Sequence, residues 1–210
     1  MPSLTIENNV ALTGSVARLC AIHGARMIYA SSSEVYQPHN IYGWTKLWGE
    51  QIARYYLHSD VTCARISMPY GPGHPPGEGR AALTNFLWLA LLGRPLRVHR
   101  GAMRSWCWIG DTCRALVKLL DEPPRVTTIN IGRDDDLRPI SAVAQLAVEL
   151  TNSSSKILEF DLPPGFTPVK NLPCGKLRSL GWTPEIELRT GMEITRDWLA
   201  SLEVSHGQLA

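Results

Sequence analysis

Apolar positions along this chain fall alternately on helical and strand periods. From about Asn9 to His23, the residues Val10, Thr13, Val16, Ala17 and Cys20 recur at helical spacing, and the run Ala25 to Ser31 follows as a short buried strand. Ile41 to His58 predicts a second helix with Asn40 placed to cap it. Val61 to Met68 predicts a second strand, which ends in a Pro/Gly-dense loop, Pro69 to Gly79. Long helices between short apolar strands imply a parallel sheet covered on both faces.

Beyond the loop the units become smaller. Helices are expected at Ala81 to Leu92, at Thr112 to Leu120 with Asp111 as its cap, at Ser141 to Leu150, and at Leu188 to Leu202 as the closing element. Strands are expected at Leu96 to Arg100, Thr128 to Gly132 and Lys156 to Phe160. This mixed α+β layout suits a substrate-binding portion laid against the parallel sheet. The turn-like run Asn152 to Ser155 separates two patterned segments, and no fixed-period repeat appears.

Composition narrows the function. With 210 residues, 44% of them hydrophobic and 19% charged, the chain has ample material for a core. Its formal net charge of +2 creates no field to attract nucleic acid or an anionic membrane, so a small molecule or another protein is the expected partner. Cys20, Cys63, Cys107, Cys113 and Cys174 form no C-x-x-C pair and no disulfide framework, which predicts reduced thiols and a cytoplasmic address. The most apolar stretch, Ala81 to Leu92, is too short to span a bilayer, and Met1 to Glu7 has neither a basic leader nor an apolar signal core. The six histidines show no i, i+4 pair, and none shares a short motif with a cysteine, so no metal site is expected.

The chemistry concentrates in Ser31-Ser32-Ser33-Glu34-Val35-Tyr36 and Tyr42-Gly43-Trp44-Thr45-Lys46. Tyr42 and Lys46 stand four apart on one helix, which puts phenol and ammonium on the same face. A serine at the carboxyl end of the preceding strand lies near the crevice where open α/β sheets take ligands. Free tyrosine titrates near ~10, and a neighbouring ammonium stabilises the phenolate that a general base requires. A solvated Tyr–Lys pair and a self-capping serine turn are the plain alternatives, but neither explains why these features coincide at the end of a buried strand.

Seven elements in order carry a resemblance to the extended short-chain dehydrogenase/reductase family, the NAD-dependent epimerases and dehydratases of nucleotide sugars. Asn9 and Thr13 resemble the N-V-x-G-T helix start, Ser31 to Tyr36 the S-S-x-x-V-Y strand end, and Tyr42 with Lys46 the Y-x-x-x-K pair. Arg65 with Tyr70-Gly71-Pro72 resembles R-x-x-x-x-Y-G-P, and Arg104 to Asp111 resembles R-D-F-x-x-V-x-D. Asn130-Ile131-Gly132 resembles the N-x-G strand, and Leu180 to Pro184 the late L-G-W-x-P. The resemblance implies an α/β fold: an incomplete Rossmann-like parallel sheet with a smaller mixed α+β substrate-binding portion. Residues 1–80 are expected to be what remains of the catalytic part, and 81–210 to be mainly substrate-binding, interleaved with the last sheet strands.

Carried over residue by residue, the resemblance implies that Ser32 holds the sugar hydroxyl, Tyr42 exchanges its proton, and Lys46, with Tyr42, contacts the NAD or NADP cofactor at the nicotinamide ribose. Glu34 matches the glutamate used by members that dehydrate or decarboxylate. Ser33, Met68 and Arg104 fall on the substrate side, with a surface arginine the alternative for Arg104. The shared mechanism is transient oxidation of a sugar hydroxyl. A homodimer through the helices at Asn9 to His23 and Ile41 to His58 is also implied.

Departures from the pattern temper these expectations. Nothing before Asn9 resembles the strand, G-x-x-G-x-x-G turn and helix that hold the pyrophosphate, so cofactor binding is expected to be weak or lost and the strand Ala25 to Ser31 to be an open edge. The Gly71 to Gly79 cluster is no substitute, because Pro72, Pro75 and Pro76 lack the N–H donors a phosphate cradle needs; it is expected to be a substrate-side loop. Tyr42 follows Ser32 by only 10 positions, which predicts a more open pocket. Met68 stands where an asparagine is common, and Ser105 where an acid is. Trp44, Trp48, Trp106 and Trp108 are open to either core packing or stacking on a ligand. The leading expectation is an epimerase/dehydratase-type enzyme on a nucleotide sugar. The alternative from another class is a catalytically silent truncated homologue that acts as a binding or partner protein.

Overall fold

The computed structural model describes residues 2–77, 81–121 and 128–206, so the end of the Pro69 to Gly79 loop lies outside the described residues. The chain divides into two compact units. The first comprises Met1–Ser67, Thr112–Gly132 and Leu172–Thr183; the second comprises Met68–Asp111, Arg133–Asn171 and Pro184–Ala210.

The first unit is built on a parallel sheet. Helix α1 (Pro2–Ile6) runs through a π-helical turn (Glu7–Ala11) into α2 (Leu12–Ile22), and then come strand β1 (Met27–Ser32), a 3-10 turn (Ser33–Tyr36), helix α3 (Ile41–Leu57) and strand β2 (Val61–Ile66). β2 is the middle strand, with β1 parallel on one side and β7 (Thr128–Ile131) parallel on the other. Among the described residues β1 is thus an outer strand of this sheet. In register, Ser31 lies opposite Arg65 and Ser32 opposite Ile66. Ala17, Tyr29, Ala53, Leu57, Val61 and Cys63 form the core between the sheet and α2 and α3.

The first helix begins at Pro2, seven residues before Asn9. A proline in the first turn gives up an N–H that no intrahelical carbonyl would accept, so it starts the helix at little cost. Asn9 is held inside the π turn, where its Nδ2 donates to Thr45 Oγ1 on α3 at 3.0 Å.

The close approach of α3 to the sheet depends on Gly49. A Cβ there would overlap the buried Tyr29 hydroxyl and lie 3.1 Å from the Asn9 carbonyl oxygen. Gly49→Ala is therefore expected to destabilise the fold by about 1–3 kcal/mol, because neither the ring nor the π turn can give way cheaply. A urea midpoint lowered at unchanged slope checks this.

The second unit holds β3 (Pro69–Tyr70), α4 (Ala82–Leu91), β4 (Leu96–His99), β5 (Met103–Ser105), β6 (Cys107–Trp108) and the start of α5 (Ile109–Asp121). It continues with β8 (Leu137–Pro139), α6 (Ile140–Leu150), β9 (Ile157–Phe160), β10 (Val169–Lys170) and α8 (Leu188–His206); α7 (Gly175–Ser179) belongs to the first unit. The long elements follow the apolar pattern. The two- and three-residue strands β3, β5, β6, β8 and β10 do not, because pairings this short carry too few positions to show a period. α4, α6 and α8 pack around Leu83, Phe86, Leu87, Val143, Ala147, Met192 and Leu199.

Asp111 corrects one expectation. It lies within the first turn of α5, which begins at Ile109, and its Oδ2 accepts from the backbone N–H groups of Glu185 and Ile186 at 3.1 and 3.2 Å. Its carboxylate fastens a distant segment of chain to the helix.

Candidate functional site

The site grows from the carboxyl end of β1 and the first turns of α3, both in the first unit. Asn40 caps α3 as expected, its Oδ1 accepting from the Gly43 N–H at 2.9 Å. Gly43 lets the helix start against the turn below it, since a Cβ would sit 3.1 Å from Pro38 Cα and 3.2 Å from the Glu34 carbonyl oxygen. The short interval between Ser32 and Tyr42 is accommodated by this close approach.

Lys46 points back to the sheet. Its Nζ donates to the Ala30 carbonyl at 3.0 Å, two residues before Ser32 on the same strand, and lies 5.8 Å from the Tyr42 ring centroid. Burial lowers its pKa from the ordinary lysine value. One of its three protons is used on Ala30, leaving others to donate to a ligand. Tyr29 also lies near this ammonium, 5.4 Å from ring centroid to Nζ, but burial pushes its phenol up to about 12 and closes it off from solvent. Tyr42, 42% exposed, is the accessible phenol of the two.

Ser32 is buried and caps the following turn, its Oγ accepting from the Glu34 N–H at 3.2 Å. Because the oxygen is the acceptor in that bond, its own O–H stays available to donate. Ser33 and Glu34 are half-buried in the same turn, and Glu34 Oε2 lies 3.7 Å from His39 Nδ1.

Beneath this face lies a buried ionic cluster that the sequence pattern did not reveal. Glu50, fully buried on α3, accepts from Arg65 Nε and Nη2 at 2.8 Å each and from Ser31 Oγ at 2.6 Å, with Arg54 Nη2 at 3.3 Å. Burial works against its charge, but Arg65, Ser31 and Arg54 outweigh it and hold the carboxyl below its ordinary value. The Arg65 guanidinium also stacks 4.6 Å from the Tyr36 ring, and Tyr36 donates to Asn130 Oδ1 at 2.8 Å. The available signal was Arg65 itself, a cation in an otherwise apolar central strand, which has to find a buried anion.

Comparisons with known proteins bear on the family of the chain. The family model described as NAD dependent epimerase/dehydratase matches residues 1–132. The chain belongs to that family. It is 28% identical over 221 residues to UDP-glucuronic acid decarboxylase 3 of Arabidopsis thaliana, covering 93% of this chain and 64% of the relative. It is 28% identical over 228 residues to a UDP-N-acetyl-alpha-D-glucosaminuronate decarboxylase of Bacillus cytotoxicus, covering 94% and 71%. The fold is shared with a UDP-glucuronic acid 4-epimerase of Bacillus cereus solved with UDP-glucuronic acid and NAD: TM-score 0.83, 23% identity, 94% of this chain and 68% of that one. The chain thus spans about two-thirds of the length of these epimerase/dehydratase relatives.

One further observation bears on the NAD of this family. Ser67 Oγ, buried just past the carboxyl end of β2, has no hydrogen-bond partner among the described residues. With the spare protons of Lys46, it gives this end of the sheet hydrogen-bonding capacity that a ribose- or amide-bearing ligand could use.

Met68 and Arg104 belong to the second unit. Met68 has φ +46°, a left-handed conformation that asparagine tolerates far better, which gives a backbone reason for the asparagine common there in the epimerase/dehydratase pattern. Arg104 is buried, and its guanidinium donates to the carbonyls of Met103, Pro168 and Thr167 at 2.7–2.9 Å. These bonds tie the strand of Arg104 to the 167–168 segment.

Proposed function

We propose that this chain binds a nucleotide sugar and, with NAD, transiently oxidises one of its hydroxyls. The relatives that match over 93% and 94% of the chain are decarboxylases, which favours a nucleotide-linked uronic acid as substrate and loss of its carboxylate as the following step. The observation that carries the reading is the Lys46 ammonium, drawn onto the carbonyl of Ala30 beside both Tyr42 and the end of the serine strand.

In this reading the Ser32 O–H orients the sugar hydroxyl, and Tyr42 takes that hydroxyl's proton, with Lys46 steadying the phenolate. NAD, when bound, supplies the acceptor for the hydride leaving the same carbon. Lys46 and Tyr42 would hold its ribose. Oxidation beside the carbon that bears the carboxylate produces a ketone able to take up the electron pair left by departing carbon dioxide. In the same reading Glu34 exchanges a proton in that carbon step, and Ser33, beside it in the turn, is a substrate-side contact.

The test is to incubate the purified chain with NAD and UDP-glucuronic acid and to weigh the products. Carbon dioxide and a nucleotide pentose support decarboxylation. A product of unchanged mass redirects the proposal to epimerisation, and no product from any nucleotide sugar overturns it.

The same reading includes a homodimer and a reducing, cytoplasmic setting consistent with five free cysteines. α2 and α3 pack side by side and leave Leu12, Val16, Leu19, Trp44 and Trp48 exposed, an apolar allotment that suits a second copy. Trp48→Glu is expected to shift the chain from dimer to monomer in gel filtration at micromolar concentration; a wild-type monomer would contradict the dimer. No helix among the described residues is long and apolar enough to cross a membrane.

A further inference from the structure

The short turn between Ser32 and Tyr42 contains a histidine whose ring connects two parts of the site. His39 Nδ1 lies 3.2 Å from the Gln37 carbonyl oxygen and 3.7 Å from Glu34 Oε2. A carbonyl oxygen can only accept, so Nδ1 carries the proton in that bond, and the Glu34 carboxylate lies within ion-pair reach of the same N–H. On the other side of the ring, Nε2 lies 3.4 Å from Asn40 Nδ2. The orientation of the Asn40 amide is fixed independently, because its Oδ1 accepts from the Gly43 N–H at 2.9 Å; its NH2 must therefore face the imidazole. An NH2 group can only donate, so Nε2 has to present its lone pair.

Together these three neighbours select one form of the ring, with the proton on Nδ1 and the lone pair on Nε2. That form completes a chain from the Glu34 carboxylate through His39 and the Asn40 amide to Gly43, the third residue of the helix that carries Tyr42 and Lys46. We propose that His39 is a positioning residue, which couples the Glu34 carboxyl to the amino-terminal cap of the helix bearing Tyr42 and Lys46. The carboxyl assigned to the carbon step and the phenol assigned to the oxidation step then share one structural link, and a change at the first is felt at the second. This deepens the reading above and rests on it for its catalytic meaning.

The test needs no turnover. In the full chain labelled with nitrogen-15, imidazole shifts at neutral pH should show His39 as the Nδ1–H tautomer; an Nε2–H tautomer would overturn the proposal. Glu34→Gln should move the Gly43 amide resonance, and that movement should disappear when His39→Asn is also present. Asparagine keeps a donor near the Nδ1 position but offers nothing to Asn40. An equal movement with and without His39 would show that Glu34 acts on the cap directly, and would also overturn it. Gly43 amide exchange should be roughly threefold to fivefold faster in His39→Asn, as expected for a weakened cap, and should return toward wild type in His39→Gln, whose amide oxygen can accept from Asn40. Identical exchange in both variants would count against the link.

Loss of this coupling in a chain that still decarboxylates would remove the His39 relay alone. Intact coupling in a chain without activity toward any nucleotide sugar would instead remove the proposed function.

Discussion

Replacing Tyr42 with phenylalanine is expected to lower turnover of a nucleotide sugar by about 10²–10⁴-fold, the usual worth of a positioned proton acceptor. The ring is 42% exposed and stays 5.8 Å from Lys46, so the change removes the phenolic oxygen and leaves the fold and the neighbouring ammonium in place. Rates with saturating NAD and UDP-glucuronic acid measure the effect, and an unchanged thermal midpoint separates it from unfolding. NAD affinity, followed by tryptophan fluorescence, should fall less than turnover does, because Lys46 still contacts the ribose. A fall in turnover of less than tenfold would mean that another group accepts the proton.

Glu50→Ala should have the largest effect on stability. It leaves the Arg65 and Arg54 guanidiniums without their shared carboxylate and Ser31 without its acceptor, inside a unit where Glu50 itself is fully buried. Removing one partner of a buried pair costs about 3–5 kcal/mol. The lower end applies here, because the side chains of Arg65 and Arg54 are 16% and 26% exposed and so partly reach water. The pH dependence follows from the direction of the shift. The Glu50 carboxyl is held below its ordinary value of 4.5, so its contribution is fully present above about that pH and is lost as pH falls through the lower folded value. Wild-type stability should therefore decline below pH 4.5, and Glu50→Gln should flatten that acid limb. Urea midpoints measured across the acid range check both points.

Much of the first unit was legible because its signals are repeated. α2, α3, β1 and β2 each carry an apolar period over several positions, and Asn40 stands where a cap has to stand. Tyr42 and Lys46 were legible because a spacing of four on a helix leaves few choices of face. Glu50 was not legible. It sits on the same helix as Lys46, and nothing local distinguishes it from a solvated glutamate. Its role appears only when β1 and β2 bring Ser31 and Arg65 beneath it, a pairing set by strand register. His39 was hidden for a related reason: its meaning lies in a tautomer chosen by three neighbours within a compact turn. An acid before an apolar run usually caps it, which is what the position of Asp111 suggests, whereas the acceptor it provides serves the 185–186 backbone.

The most direct test of the oxidation site is to mix the chain with NAD and UDP-glucuronic acid and watch for reduced nicotinamide, comparing wild type with Lys46→Ala. If the ammonium on Ala30 holds the ribose and steadies the phenolate, a transient absorbance of reduced cofactor forms with wild type and is absent from the variant. Equal signals from the two proteins, or no signal from wild type with any nucleotide sugar, would contradict it.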